Sequence, residues 1–297
     1  MRIVADKLSY TYNEKSPFAA HALKGVSLTI EEGEFFGIIG HTGSGKSTFV
    51  QHLNGLIRIP SSRKRRKKTD AVLTVGEFDL TSKKTDFRAL REKVGMVFQY
   101  PENQLFAETV FDDVAFGYKN FAKKKPTAEE VEAAVRGAIE VVGLDYEEIK
   151  GVSPFDLSGG QKRRVAIAGV VVTRPEVLVL DEPAAGLDPL GKREVMALLH
   201  RLHSEWCKTV VVVSHDMDEI AENCTHVAVF ADGEVKYVLP PKELFKRTEE
   251  LLALGLDVPL TAKLCLALEK WGVKIDCDYT TEDFLEKVLA LRKEGTC

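Results

Sequence analysis

The apolar positions of the chain fall into two patterns. Phe35-Phe36-Gly37-Ile38-Ile39, Val177-Leu178-Val179-Leu180 and Thr209-Val210-Val211-Val212-Val213 are nearly unbroken apolar runs. Such runs belong to strands covered on both faces, as in a parallel sheet. Elsewhere the period is helical. Val131, Ala134, Val135, Ala138, Ile139 and Val142 share one face, Thr127-Ala128-Glu129-Glu130 opens that helix as a capping box, and Gly143 ends it. Residues 48–56 and 161–168 read as two further helices, the second capped by Ser158. After Pro240-Pro241 the spacing predicts three short amphipathic helices: 242–254 closed by Gly255, 259–271 closed by Gly272, and 281–293 capped by Thr280. None is long enough to be stable alone in water, so each must pack on the rest of the chain or on a partner. The reading is one domain over 1–240, with a helical insert at about 100–160, followed by a small extension over 241–297.

Composition narrows the class. The chain has 297 residues, 44% of them hydrophobic, and a net charge of −4. That supports a sizeable core and argues against a protein that coats nucleic acid. The five cysteines show no C-x-x-C spacing, so no zinc or disulfide framework is expected. There is no N-terminal apolar leader segment and no apolar run near 18 residues, so neither a signal peptide nor a membrane span is expected.

The candidate chemistry begins where the first apolar run stops. Gly40-His41-Thr42-Gly43-Ser44-Gly45-Lys46-Ser47 fits the phosphate-cradling loop G-x-x-x-x-G-K-[ST], between a strand and a helix that includes Thr48. Glycines let backbone N–H groups approach triphosphate oxygens, and the helix N-terminus adds partial positive charge. Lys46 would add full charge at the β- and γ-phosphates, and the Ser47 hydroxyl would ligate Mg²⁺. The second apolar run ends in Asp181-Glu182. Ligands bind beyond the carboxyl ends of strands in open α/β sheets, which suits Asp181 to Mg²⁺ and Glu182 to polarising a water.

Between these sites lies Leu157-Ser158-Gly159-Gly160-Gln161. Two glycines ahead of a helix expose N–H donors and form an anion site with no second ligand nearby in sequence. This segment resembles the signature of the ATP-binding-cassette (ABC) ATPases. Gln99 is similar to their Q-loop glutamine, Gly186-Leu187-Asp188 to their D-loop, His215 to their switch histidine, and Tyr12 sits where they place an aromatic ring against adenine. The resemblance covers about residues 2–240 with every motif in order. It implies an α/β P-loop NTPase cassette, with a RecA-like core, a β subdomain and a helical insert. It also implies that Ser158, Gly159, Gly160 and Gln161 serve ATP held by a second ABC ATPase subunit, a paralogue or a copy, and that Gln99 reaches the metal or the attacking water. Tyr10 is the nearest competitor for the adenine position.

The tail and the segment from Tyr100 through Val110 resemble the ATPases of energy-coupling-factor (ECF) transporters, including cobalt and nickel importers. That implies an ATP-hydrolysing subunit at the cytoplasmic face of the cell membrane. It would energise micronutrient uptake, working with a transmembrane coupling protein and a substrate-binding membrane protein, and its tail would help hold two ATPases together. Leu105 and Phe106 are candidates for the groove that receives the coupling protein. A soluble ABC ATPase acting on nucleic acid or ribosomes is the alternative, but it would ordinarily carry a second cassette or a coiled-coil insertion. A nonenzymatic scaffold fits poorly with Glu182, His215 and the intact signature. Two departures stand out. Residues 63–68 are all Arg or Lys, ordinarily a solvated loop, with anionic lipid as the other reading. Ala184 stands where the family commonly has a hydroxyl.

Overall fold

The apolar runs become neighbours in one sheet. In the computed structural model, which describes residues 1–59, 71–122 and 124–293, the chain begins β1 (Ile3–Tyr12), β2 (Ala20–Ile30), β3 (Phe35–Gly40), α1 (Lys46–Leu53), β4 (Val72–Val75), β5 (Phe78–Asp79), α2 (Phe87–Lys93) and β6 (Val94–Val97). A helical stretch follows, comprising α3 (Val110–Phe121), α4 (Ala128–Val141) and α5 (Tyr146–Ile149). Then come α6 (Gly159–Val171), β7 (Val177–Asp181), α7 (Pro189–Glu205), β8 (Thr209–Val213), α8 (Met217–Asn223), β9 (His226–Ala231) and β10 (Glu234–Leu239). The tail is α9 (Pro241–Phe245), α10 (Thr248–Ala253), α11 (Leu260–Glu269) and α12 (Thr281–Lys293). The basic run at 63–68 lies outside the described residues.

Two sheets form, in the orders β2-β1-β4-β5 and β10-β9-β3-β8-β7-β6. The first is antiparallel; in the second, β9, β3, β8, β7 and β6 are mutually parallel. Every residue of β3, β7 and β8 is buried, which is why those runs lack polar alternation. Alternation survives as a choice between two cores. Phe36, Ile38, Val177, Val179, Val211 and Val213 face the antiparallel sheet and α1. Phe35, Ile39, Leu178, Leu180, Val210 and Val212 face the helices of the insert and tail.

Local signals explain most helix boundaries. Thr127 and Glu130 form a reciprocal capping box, as do Ser158 and Gln161. Gly143 follows α4 at φ +77, the left-handed turn expected past a helix end. The loop helix starts at Lys46 and stops at Leu53, earlier at both ends than the apolar spacing predicts, and Gly55 turns the chain at φ +67. The expected single helix over 242–254 is two, α9 and α10. Thr248 Oγ1 donates to Phe245 O at 2.6 Å, and Arg247 N bonds Leu244 O, three residues back rather than four. Such side-chain bonding competes with the regular ladder and breaks it.

The tail packs on its own chain. Leu244, Phe245 and Leu251 are fully buried in the larger core, with Leu256, Val258 and Ala262 beside them. Asp218 on α8 accepts from Leu260 N at 2.9 Å, and Glu222 accepts from Thr281 Oγ1 at 2.9 Å.

Candidate functional site

Four parallel strands deliver the candidate residues to one edge of the sheet. β3 leads into the loop at Gly40, β6 leads to Gln99, β7 ends at Asp181, and β8 leads to His215. That edge is where the strand ends of an open sheet place ligands.

The loop is shaped by backbone geometry. Gly45 has φ +104, and a Cβ there would meet Ala22 O at 2.5 Å; at Gly40 it would meet Phe230 O at 2.3 Å. No larger residue fits either position. Lys46 is buried, and its ammonium donates to Gly40 O at 2.6 Å and His41 O at 3.0 Å. Burial pulls its pKa down while Glu182 and Asp181 pull it up, with a net lowering. Ser44 Oγ is buried without a hydrogen-bond partner among the described residues. A buried cation turned back on carbonyls, an orphaned hydroxyl and a helix N-terminus suit a phosphate group. Thr42, Gly43 and Ser47 are exposed at the loop surface. His41 turns its Nδ1 to Thr42 O at 2.9 Å.

Tyr12 is the exposed aromatic beside this loop, its hydroxyl 3.2 Å from Thr48 Oγ1. Tyr10 is less exposed and packs edge-on between Tyr12 and His52. Of the two, Tyr12 is the more exposed and so the better placed to meet a base.

Asp181 is buried at the end of β7, beside Ser47. Burial raises its pKa, more than the Ser47 hydroxyl and the nearby cations lower it. A desolvated carboxylate beside a hydroxyl is an all-oxygen donor set that fits Mg²⁺. Glu182 sits between two partners: Gln99 Nε2 donates to Oε2 at 2.9 Å, and His215 Nε2 lies 2.9 Å from Oε1. Its φ of +52 is left-handed, a conformation that costs a non-glycine residue about 1–3 kcal/mol and clusters at functional sites. Behind it is a cavity of about 120 Å³ lined by Glu182, Lys192, Ser214, His215, Asp216 and Glu219 among others. Glu219 has its pKa raised by burial and by Asp216, and one carboxylate oxygen buried without a partner among the described residues. Nothing local in the sequence marks Lys192, Asp216 and Glu219, because a charge on a helix or at its cap carries no sign of facing inward.

The signature segment opens α6. Ser158 Oγ accepts from Gln161 N at 3.3 Å, and Gln161 Oε1 accepts from Ser158 N at 3.0 Å. Gln161 therefore spends its side-chain oxygen on its own helix. Gly159 and Gly160 are exposed, with nothing within 4 Å of a Cβ built on either. α6 feeds β7 through a short turn and packs on β6. β6 is three strands from β3, about 14 Å at the usual interstrand spacing. The helix that opens with the signature thus packs beside a different strand from the one that carries the loop. The expected Leu105–Phe106 groove divides: Leu105 is buried in the core, while Phe106 is exposed and meets the exposed Phe116 edge-on at 4.9 Å.

The ABC transporter family profile matches residues 23–185. The energy-coupling factor transporter ATP-binding protein EcfA2 of Clostridioides difficile is 44% identical over 300 residues, with 100% of each chain covered. The protein of the same name from Symbiobacterium thermophilum is 49% identical, with 98% of this chain and 96% of that one covered. Among solved structures, CbiO1 from Clostridium perfringens, described as part of the ABC transporter complex CbiONQ, superposes with TM-score 0.71 at 38% identity, covering 88% of this chain and 97% of that one. A dimeric ATP-binding cassette, MJ0796, in a post-hydrolysis state bound to ADP and phosphate, superposes with TM-score 0.67 at 28% identity, covering 80% of this chain and 98% of that one. These matches show the family: the chain is an ATP-hydrolysing cassette of the ABC transporter family and belongs with the energy-coupling factor transporter ATP-binding proteins.

Proposed function

We propose that the chain energises uptake of a micronutrient, a vitamin or transition metal, at the cytoplasmic face of the membrane, as one of two ATPase subunits on a transmembrane coupling protein and a substrate-binding membrane protein. The observation that carries the catalytic part is Glu182, bracketed by Gln99 and His215 at the end of β7. At rest both carboxylate oxygens are engaged; releasing one makes Glu182 a base for the attacking water. Gly40, His41, Thr42, Gly43, Ser44, Gly45, Lys46, Ser47 and Thr48 would hold the triphosphate, and Tyr12 the adenine. Ser47, Asp181 and the Gln99 amide oxygen would hold Mg²⁺, which when bound offsets the charge on the phosphate oxygens. Among the described residues no helix is long and apolar enough to cross a membrane, so the path for the cargo belongs to other chains.

Ser158, Gly159 and Gly160 would grip the γ-phosphate held by the second subunit, with Gln161 holding the cap of that helix. Their exposure at the N-terminus of α6 supports this reading. Ser158→Arg is expected to leave ATP affinity of the isolated chain within about twofold while cutting turnover at least ~100-fold, because closure places the arginine against the facing nucleotide. Titration of ATP against monomer is the check; equally impaired monomer binding means that the motif serves its own nucleotide.

The coupling surface would centre on Phe106 and Phe116, which are 60% and 52% exposed. An apolar anchor pair of this kind suits the face of a partner helix. Phe106→Ala is expected to weaken assembly with the membrane proteins about tenfold, roughly the 1.4 kcal/mol of one well-buried aromatic contact, without changing ATP affinity. Pull-down of solubilised complexes reads this directly. Normal assembly with a lowered melting temperature would leave Phe106 a packing residue.

For pairing of the two ATPases, the tail offers Trp271 at 85% exposure and Leu264 at 39%. Replacing both by Glu is expected to raise the dimer dissociation constant about tenfold or more by burying unpaired charge. Sedimentation at matched concentration tests it, and an unchanged constant assigns the tail to packing on its own cassette.

A further inference from the structure

Arg163, on the second turn of α6, is almost fully buried. A guanidinium has five N–H donors, and here all five are used. Nε donates to Glu102 Oε2 at 3.1 Å and Nη2 to Glu102 Oε1 at 2.9 Å, a bidentate pair. Nη1 donates to Pro183 O and Ala185 O, and Nη2 also to Ala185 O, each at 3.1 Å. One side chain on the signature helix thus clamps two other segments.

Both clamped segments lead back to the reacting groups. Glu102 lies in the 3₁₀ turn Pro101–Gln104, three residues after Gln99 and shortly before Phe106. Pro183 and Ala185 form the turn that follows Glu182, whose own carbonyl accepts from Ala185 N at 3.1 Å. Each segment also holds a strained non-glycine, Tyr100 at φ +55 and Glu182 at φ +52. Strain of this kind persists only where the surroundings over-determine the backbone. Arg163 touches both surroundings, behind the direct bond from Gln99 to Glu182.

We propose that Arg163 is a positioning residue that ties the segment expected to meet the coupling protein to the turn that aims Glu182, with Glu102 as its handle. Displacement of Glu102 drags the guanidinium, and the guanidinium moves the Pro183 and Ala185 carbonyls. The planar fork transmits direction as well as force, which a lysine with three rotatable donors does not. This inference rests on the proposed importer reading, because it needs a membrane partner to move Glu102.

The test uses the assembled transporter in lipid vesicles and reads phosphate release from ATP. Glu102→Gln keeps the shape and most hydrogen-bonding capacity but removes the charge that holds the fork. Arg163→Lys keeps the charge and removes the fork. Each single variant is expected to lower kcat about tenfold with KM for ATP within about twofold, a loss of transition-state rather than ground-state interaction. The double variant is expected to match the worse single one, because both act through one link. Normal kcat in both single variants, additive losses in the double, or a rise in KM as large as the fall in kcat overturns the assignment. Thermal unfolding of Glu102→Gln separates misfolding from mispositioning: a lowered kcat at an unchanged melting temperature supports the link, and a lowered kcat that recovers on cooling overturns it. The wild-type complex separates the two proposals. If membrane partners do not stimulate its turnover, the importer reading falls and takes this inference with it; if they do and the variants respond equally, only the Arg163 assignment falls.

Discussion

Glu182→Gln is expected to bind ATP with near-normal affinity and to hydrolyse it ~10²- to 10⁴-fold more slowly, the usual contribution of a positioned general base. The amide is nearly isosteric, so the bond from Gln99 and the contact with His215 can both be kept with the appropriate rotamer. What disappears is the ability to accept a proton from water. With binding intact and the exit by hydrolysis closed, ATP-bound pairs should accumulate, visible as a dimer peak in gel filtration that ATP induces and EDTA disperses. Near-normal turnover of Glu182→Gln in the assembled transporter would remove Glu182 from the role of base.

Lys46→Ala is expected to act at the binding step. The buried ammonium now rests on Gly40 O and His41 O, two carbonyls at the mouth of the same loop, and burial already lowers its pKa. Phosphate oxygens satisfy that cation better than carbonyls do. Charge-assisted bonds of this kind contribute about 1.5–3 kcal/mol each, so two of them account for at least ~100-fold in affinity. Isothermal titration with a slowly hydrolysed ATP analogue measures the loss. Affinity within threefold of wild type would mean that the loop backbone alone holds the triphosphate.

The gathering of the candidate residues on one side of the sheet was largely legible in the sequence, because they are tied to strand ends. A buried strand is written as an apolar run, and the residues just past it, Gly40, Asp181, Glu182 and His215, are written at its end. Helix caps are equally local: the capping box read at Thr127 is present, and the N-cap read at Ser158 is present with a reciprocal bond from Gln161 that the sequence reading did not include. What escaped is long-range. Arg163 sits among basic residues in Lys162-Arg163-Arg164, and nothing local marks the middle one as buried. Its partners are a 3₁₀ turn and a strand-end turn far away in sequence. Leu105 and Phe106 are adjacent and chemically alike, yet one enters the core and the other stays outside, a division that tertiary packing sets and local sequence does not. The break between α9 and α10 depends on one hydroxyl choosing a carbonyl three residues back.

The pairing of β3 has a consequence for how the protein is made. This strand, which carries the phosphate loop, has β8 and β9 as its neighbours: Phe35 pairs with Val210 and Phe36 with His226. Its flanks are therefore encoded most of a cassette later. At ~5–20 residues per second, a ribosome needs roughly 10–35 s after delivering β3 to deliver β8. Until then Phe35-Phe36-Gly37-Ile38-Ile39 lacks both of its strand neighbours, and the face that carries Phe35 and Ile39 is bare. The antiparallel sheet can close early, since β1 meets β2 and β4. ATP cannot rescue the nascent chain in this interval, because the cradle that would bind it lacks its walls. The candidate nucleotide site is therefore complete only after β8 and His215 have been delivered.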